Sequence, residues 1–396
     1  MKIVWIANVS IYGLGGAEAA LLESVRGLVQ RGVDIHVVLP FSERGDLVNL
    51  LESMGASVSV IYYTFWRGGP ISYSSTTRLS TLRSIRGSSK VFLNYLRQIR
   101  PDLVVTNTLT ASPSAAFASR WLNIPHIWYI HEFASEDHGM RFFLGDSVSL
   151  FLINKFSKRV IVNSRAVRDE FQNWVPQDKL RLVYCAMVPP TQSKEIKEEN
   201  NTFRVILVGH MHPGKRQEDA IRAVSLLSKK GFDVRLCLAG DESPEYGSYL
   251  RNLARELEVG ERIDFVGFAG NPHSYVASSD VALMCSKSEA FGRVTVEAMQ
   301  LGKPVVGANH GGTTELIQDG WNGLLYQVED AEDLARKIEI LYRDRELTEK
   351  MGRNAQEWSN RTFTMEKHIS SLLSVFEEVV RPEAGKWFKK SVGILL

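Results

Sequence analysis

Short apolar runs alternate with longer amphipathic stretches along most of the chain. In the first half, the apolar runs predict strands over residues 3–9, 35–39, 58–62, 102–107, 126–130 and 159–163. Helical patterns separate them, among them residues 16–31, residues 46–54 and a long helix that ends near residue 100. Continuous apolar strands separated by helices indicate a parallel sheet that is covered on both faces. The first half therefore predicts a doubly wound, Rossmann-like domain.

The alternation stops at Pro189 and Pro190, and a polar, charged stretch follows as far as Thr202. Two prolines before a charged stretch are typical of an interdomain linker. The pattern then restarts with predicted strands over residues 203–208, 234–239, 262–266, 281–285 and 304–308. We therefore predict an α/β protein with two Rossmann-like domains. Their bounds are residues 1–188 and 203–364, with a linker over 189–202.

The last segment, residues 365–396, is predicted to be a helix over about residues 365–380 that crosses back to brace the first domain, followed by a tail. In doubly wound domains, ligands bind at the carboxyl ends of the strands. With two such domains, we expect these ends to face each other across a cleft.

Composition excludes several classes of protein. With 396 residues, 44% of them hydrophobic and 23% charged, the chain as a whole is not disordered, collagenous or coiled coil. Lys plus Arg number 47 and Asp plus Glu 45, so no nucleic-acid partner is expected. Cys185, Cys237 and Cys285 lie in apolar runs, which predicts buried, reduced thiols. No signal peptide or membrane-spanning run is evident, and we expect a cytoplasmic location.

One segment departs from this even balance of charge. Residues 67–100 contain no acidic residue but seven basic ones: Arg67, Arg78, Arg83, Arg86, Lys90, Arg97 and Arg100. A solvated helix face would explain the segment. The alternative is contact with anionic lipid headgroups or with an anionic acceptor, and lipid contact would place the protein at the inner face of a membrane.

A glycine-rich turn, residues 13–18, follows the first predicted strand. It matches the dinucleotide fingerprint poorly, because Glu18 replaces the third glycine and Asp34 precedes the second strand instead of following it. Gly15 and Gly16 still open a helix, whose N-terminal N–H groups favour an anion such as phosphate. A tight turn without a ligand is the alternative.

Polar residues also follow other predicted strands. His131 comes directly after residues 126–130, and Gly209 and Lys215 follow residues 203–208. Gly209 permits close approach of a ligand, and Lys215 would place a positive charge beside a phosphate. The pair Gly311 and Gly312 would close over a base or a ribose. Each feature alone is also common in proteins without such a site.

The most specific motif is Ser-Glu-Ala-Phe-Gly-Arg-Val-Thr-Val-Glu-Ala-Met at residues 288–299. Backbone N–H groups of Arg293, Val294 and Thr295, at the start of a helix, would point at an anion. Glu297, predicted on the first helical turn, would accept hydrogen bonds from a ribose, and Glu289 would reach a sugar. Carboxylates on both sides of a phosphate site suit a sugar nucleotide.

Together these motifs resemble the retaining GT-B glycosyltransferases of glycosyltransferase family 4, over nearly the whole chain. The resemblance rests on residues 15–18, His131, residues 209–215, and Glu289 and Glu297 with the Ala-Met that follows. It implies a GT-B fold and the following roles. Gly16 would bind the distal phosphate, and Lys215 would bind the diphosphate. His131 would contact the donor sugar, Glu289 would bind its hydroxyls, and Phe291 and Gly292 would contact it through backbone atoms. Val294 and Thr295 would bind phosphate through backbone N–H groups, and Glu297 would bind the ribose.

One position departs from the family pattern, since His210 stands where the family often has arginine. Either His210 is protonated beside the phosphates, or Arg216 or Arg293 contributes the charge. Arg293 could also face the carboxylate of a uronic acid donor or form a surface salt bridge.

The expected reaction transfers a hexosyl or uronosyl unit, with retention, from a nucleoside-diphosphate sugar to a hydroxyl group. The donor is expected to be UDP-linked and the acceptor to be lipid-linked or a polysaccharide. No Asp-x-Asp motif appears near the expected cleft, so we expect no metal, and we expect no cofactor. A sugar-nucleotide 2-epimerase, a pyridoxal-dependent phosphorylase and a non-catalytic sugar-nucleotide-binding subunit are the alternatives.

Overall fold

The computed structural model describes residues 1–7, 15–41, 45–68, 75–134, 140–189, 202–269 and 272–381. The chain divides into two compact units, and the second is inserted into the first. The first unit comprises Met1–Ala186 and Met365–Leu396, and the second comprises Met187–Thr364. Predictions for the Gly13-Leu14 part of the glycine turn, for most of the linker and for the tail lie outside the described residues.

The strands of the first unit are β1 (Lys2–Ile6), β2 (Asp34–Leu39), β3 (Ser57–Val60), β4 (Arg67–Gly68), β5 (Leu103–Asn107), β6 (His126–Ile130), β7 (Arg141–Phe142), β8 (Arg159–Val162) and β9 (Leu180–Leu182). Seven of them form one parallel sheet in the order β3-β2-β1-β5-β6-β8-β9. The short strands β4 and β7 form a separate antiparallel pair. The parallel sheet confirms the predicted doubly wound arrangement.

The helices of this unit are α1 (Gly16–Gln30), α2 (Gly45–Ser53), α3 (Ser75–Ile99), α4 (Ser114–Trp121), α5 (Asp146–Phe156), α6 (Arg165–Phe171) and α14 (Met365–Val380). Side chains of α1 and α14 share one hydrophobic cluster with the sheet, and side chains of α3 and α4 share another. Both faces of the sheet are therefore covered, as its continuous apolar strands require.

Helix α14 is fastened to the first unit along its length. Near its start, buried His368 lies 2.8 Å from the Ser24 hydroxyl of α1 through Nε2 and 2.7 Å from the Tyr184 carbonyl oxygen through Nδ1. Near its end, Glu378 accepts hydrogen bonds from the guanidinium groups of Arg159 and Arg181. Between these points its apolar side chains enter the core of the first unit.

The second unit is built on a six-stranded parallel sheet. Its strands are β10 (Phe203–Val208), β11 (Val234–Ala239), β12 (Ile263–Gly267), β13 (Val281–Met284), β14 (Val305–Ala308) and β15 (Gly323–Tyr326), in the order β12-β11-β10-β13-β14-β15. Its α-helices are α7 (Gln217–Lys229), α8 (Pro244–Glu256), α9 (His273–Ala277), α10 (Arg293–Gln300), α11 (Thr313–Leu316), α12 (Ala331–Arg343) and α13 (Arg345–Thr362). Strand order changes direction at β10 and β13, where a doubly wound sheet binds ligands.

The structure corrects the expected surface position of Arg67, whose side chain is buried. Its Nη2 group donates hydrogen bonds to the carbonyl oxygens of Phe133 and Ala134, at 2.8 and 2.9 Å, and its guanidinium lies over the ring of Phe142. The reason is the pairing of β4 with β7, which a charge count does not reveal. Cys185 is buried as expected, although it follows a strand and does not lie in one. Among the described residues, no helix has the length and the hydropathy that a membrane-spanning segment requires.

Candidate functional site

Predicted site residues of the second unit follow three neighbouring strands, β10, β13 and β14. Lys215 ends a single 3₁₀ turn, Pro213–Lys215, that comes after β10. The imidazole Nδ1 of His212 caps this turn by accepting a hydrogen bond from the Gly214 N–H at 3.1 Å. The Gly214 carbonyl oxygen in turn accepts a hydrogen bond from the N–H of Lys287, in the loop after β13. Backbone contacts therefore hold these two loops together.

Lys215 and Glu289 form an ion pair, although 74 positions separate them in the chain. The ammonium Nζ lies 2.7 Å from Oε2 of Glu289, and the side chains are 24% and 16% exposed. Both groups thus keep a polar end accessible while much of their surface is buried. The resemblance assigns these two residues to the diphosphate and the sugar, and the structure brings them together.

The glycine pair after β14 supports the loop that carries Glu289. The N–H of Gly312 donates a hydrogen bond to the Glu289 carbonyl oxygen at 2.7 Å. A Cβ on Gly311 would lie 2.7 Å from that oxygen, and one on Gly312 would lie 2.5 Å from the Ala290 oxygen. Gly311 also has φ +56°, which favours glycine. Closure over a base or a ribose remains a prediction.

Helix α10 begins after Gly292, whose φ of +93° lies in the left-handed region. The Val294 N–H lies in the first turn, where no acceptor exists within the helix. The Thr295 N–H donates to the Gly292 carbonyl oxygen at 3.0 Å. Glu297 is the fifth residue of the helix and therefore lies on its second turn, which corrects the prediction that it lies on the first turn. The Oε2 atom of Glu297 lies 3.8 Å from Nε2 of His273.

Phe291 lies two positions before the first residue of helix α10. Its side chain is buried and packs edge to face on Phe363, with ring centroids 5.5 Å apart. Arg293 opens helix α10 and is half-buried. These positions are compatible with the roles that the resemblance implies, and those roles remain predictions.

His210 and Arg216, two of the candidates for the positive charge that the family arginine supplies, have different acidic partners. His210 lies beside an acidic residue, with Nδ1 2.9 Å from Oδ1 of Asp241. Arg216 forms hydrogen bonds to Asp219 and an ion pair with Glu329. The hydrogen bonds to buried Asp219 are the main reason why the pKa of Arg216 is raised. Arg216 is therefore engaged within the domain, and which of His210, Arg216 and Arg293 would supply the charge stays a prediction. Gly209, with φ +149°, precedes His210 directly.

In the first unit, Gly15 precedes helix α1 and Gly16 is its first residue. The Gly15 N–H donates a hydrogen bond at 3.0 Å to the carboxylate of Glu18, which is buried. This carboxylate already occupies one N–H group at the helix start. The contact of Gly16 with a phosphate remains a prediction, and it would have to form beside a negative charge.

His131 is held by residues from the two strands on either side of β6. Its Nε2 lies 2.9 Å from Oδ1 of Asn107, the last residue of β5, and its carbonyl oxygen accepts a hydrogen bond from Nδ2 of Asn163, after β8. Cys185 Sγ lies 3.9 Å from Nδ1. Sequence analysis missed both asparagines, because their relation to His131 depends on the strand order β5-β6-β8.

Two parallel, doubly wound domains with polar groups at the carboxyl ends of their strands place the protein in the α/β class. Comparison with known families narrows that class. Residues 14–188 match the model for Glycosyltransferase Family 4, and residues 189–358 match that for Glycosyl transferases group 1. The chain belongs to this glycosyltransferase family, and the predicted GT-B fold of two Rossmann-like domains is confirmed.

Individual relatives match parts of the chain. The N-acetyl-alpha-D-glucosaminyl L-malate synthase of Bacillus anthracis is 33% identical over 179 residues, 45% of this chain and 46% of that protein. The capsular polysaccharide biosynthesis glycosyltransferase CapM of Staphylococcus aureus is 25% identical over 49% of this chain and 51% of its own. The matches thus span about half the length of these curated relatives.

A solved structure shares the whole fold. The crystal structure of HepE from Anabaena in complex with UDP and glucose superposes with a TM-score of 0.77 at 24% sequence identity. The match covers 96% of this chain and all of that one. At this identity it establishes the common fold.

Proposed function

We propose that the protein transfers a hexosyl or uronosyl unit from a nucleoside-diphosphate sugar, UDP-linked, to a hydroxyl group of a glycan or lipid-linked acceptor. The stereochemistry is retained, and no divalent metal takes part. The observation that carries the proposal is the Lys215–Glu289 pair in the second unit, whose glutamate precedes the first residue of α10 by four positions.

This pair suits a ligand that combines phosphate with a polyol. An ammonium group recognises a diphosphate, and a carboxylate accepts hydrogen bonds from sugar hydroxyls. Before the donor binds, each group neutralises the other, so neither charge is left uncompensated in its half-buried position. When the donor binds, Lys215 turns to the diphosphate and Glu289 to the sugar. The first N–H groups of α10 add a favourable partial charge for phosphate.

The named relatives support the donor and acceptor classes. HepE was crystallised with UDP and glucose, and also with UDP-glucose. CapM is named for capsular polysaccharide biosynthesis. For this chain, UDP as the leaving group and a glycan acceptor are therefore the first substrates to test.

The chemistry needs stabilisation of the leaving diphosphate. Lys215 and the N–H groups of α10 would supply it, which is the basis for proposing that no metal is needed. The acceptor hydroxyl attacks C1 of the sugar on the face from which the diphosphate leaves. Its proton passes to an oxygen of the β-phosphate as the C1–oxygen bond breaks, which gives retention and free nucleoside diphosphate.

The test compares Lys215→Ala and Glu289→Gln with the wild type, using release of UDP with a panel of UDP-sugars and glycan acceptors. Each change should lower kcat/KM at least ~100-fold, which corresponds to about 2.7 kcal/mol of transition-state stabilisation. The control is Lys287→Ala, because that lysine lies in the same loop but pairs with Glu329. Unchanged turnover in both variants would contradict the site, and turnover that a chelator abolishes and magnesium restores would contradict metal independence.

Incubation of the donor without an acceptor separates the other candidates. Formation of an epimer would identify a sugar-nucleotide 2-epimerase. Donor binding without any UDP release, over the whole acceptor panel, would point to a non-catalytic subunit.

A further inference from the structure

Helix α3 carries a row of basic side chains that the proposed reaction does not use. The helix contains no Asp or Glu, and its exposed cations are Arg78, Arg83, Arg86, Lys90 and Arg97. At 100° per residue these five lie within roughly 140° of the helix circumference, and they extend along about 28 Å of its length. Leu79 and Leu82 lie in the same sector of the helix. We call the five cations and these two leucines the α3 strip.

The α3 cations differ from other helix cations in what surrounds them. Over the described parts of the chain, none of the five forms an ion pair or a hydrogen bond with a carboxylate. Helices of the second unit differ in this respect. In α13 Arg353 lies 3.5 Å from Glu349, and in α12 Arg343 lies 2.8 Å from Glu339. A helix face that is merely solvated usually mixes both signs of charge in this way.

Two large apolar side chains lie within the same sector of the helix. Leu79 is 49% exposed and Leu82 is 52% exposed. The adjoining face holds the helix in place, because Ile85, Phe92 and Leu96 are buried. The strip is therefore a firm surface that combines several cations with aliphatic groups.

We propose that the α3 strip docks the protein on an anionic lipid bilayer. Cations would meet the headgroup phosphates, and the two leucines would enter the boundary between headgroups and acyl chains. Single-stranded nucleic acid fits less well, because its bases stack on aromatic side chains and the strip contains none. The docking surface is in the first unit and the Lys215–Glu289 pair is in the second. A test of lipid docking is therefore independent of a test of the proposed reaction.

The test is sedimentation of the full chain with vesicles of phosphatidylcholine, either alone or with about one third phosphatidylglycerol. The wild type should bind the anionic vesicles and lose affinity as salt is raised. Combining Arg83→Glu, Arg86→Glu and Lys90→Glu should lower the partition coefficient at least ~100-fold, since each cation contributes about fivefold.

A matched control carries Arg222→Glu, Lys229→Glu and Lys350→Glu, exposed positions of the second unit. It changes the net charge equally and should bind as the wild type does. Leu79→Ser combined with Leu82→Ser leaves the charge unchanged and should weaken binding about tenfold. This second variant keeps the proposal falsifiable if the charge reversals impair folding, which far-ultraviolet circular dichroism would reveal.

Equal vesicle binding by the strip variant and its control would overturn the proposal. Wild-type binding to single-stranded DNA or to an acidic polysaccharide as tight as to the vesicles, at one ionic strength, would also overturn it. Donor binding, measured by calorimetry with UDP, should be the same in all of these variants. Its loss would concern the donor site and not the lipid contact.

Discussion

Glu378→Gln should loosen helix α14 from the first unit and should do so in a pH-dependent way. In the wild type, hydrogen bonds from Arg181, with a further contribution from Arg159, lower the pKa of this carboxyl from 4.5 to about 2. At about 1.36 kcal/mol per pH unit, that difference would be worth about 3 kcal/mol. The Glu378 side chain is 34% exposed, so solvent screening reduces the expected effect to about 1–2 kcal/mol.

The direction of the pH dependence follows from the lowered pKa. The folded carboxyl holds its proton less tightly than the unfolded one, so the stabilisation is complete above pH 4.5. It is lost as the pH falls from 4.5 towards 2. The wild type should therefore exceed the variant in stability at pH 7, and the difference should shrink by about half at pH 3.

The assay is urea unfolding at both pH values, with amide hydrogen exchange of α14 to locate the effect. Glu377→Gln is the control, because Glu377 is the exposed neighbour on the same helix. Protection of α14 should fall in the Glu378 variant alone. Equal behaviour of the two variants at pH 7, or a difference that grows at pH 3, would refute the reasoning.

Gly312→Ala should lower donor affinity at least ~10-fold, because its Cβ would lie 2.5 Å from the Ala290 carbonyl oxygen and must displace the loop of Glu289. Calorimetry with UDP measures the affinity. The control is Gly260→Ala, whose Cβ would meet no atom within 4 Å. Equal UDP affinities of the two variants would contradict the role of the Glu289 loop. Burial raises the pKa of the Cys237 and Cys285 thiols to about 12, so both should react slowly with an aromatic disulfide reagent at pH 8 until the protein is unfolded. Fast reaction of either thiol in the native protein would contradict this.

Much of the fold could be predicted from the sequence, because its buried strands are short apolar runs with sharp polar or glycine boundaries. Strands β6, β10 and β11 and helix α14 have the predicted bounds. The predicted end of a strand is wrong where an apolar run continues beyond the last residue that is paired with a neighbouring strand. Cys285, for example, is apolar and buried but follows β13 instead of belonging to it.

The site could be predicted only as a set of positions at strand ends. Sequence spacing indicated Lys215 and Glu289 separately, but their pairing depends on β10 and β13 being neighbours in the sheet. The same limit hid Asn107 and Asn163, which meet His131 through strands that are not consecutive in the chain. The cleft between the two carboxyl edges stays a prediction.

Because α14 belongs to the first unit but follows the second unit in the chain, the first unit cannot complete its folding until α14 has been synthesised. The first unit is made from two stretches of chain with the entire second unit between them. While the second unit is being translated, the apolar surface that will receive Ile369, Leu372 and Phe376 has no cover. We expect the nascent first unit to be a client for chaperones during that interval, and its final cooperative folding to follow release of the last helix from the ribosome.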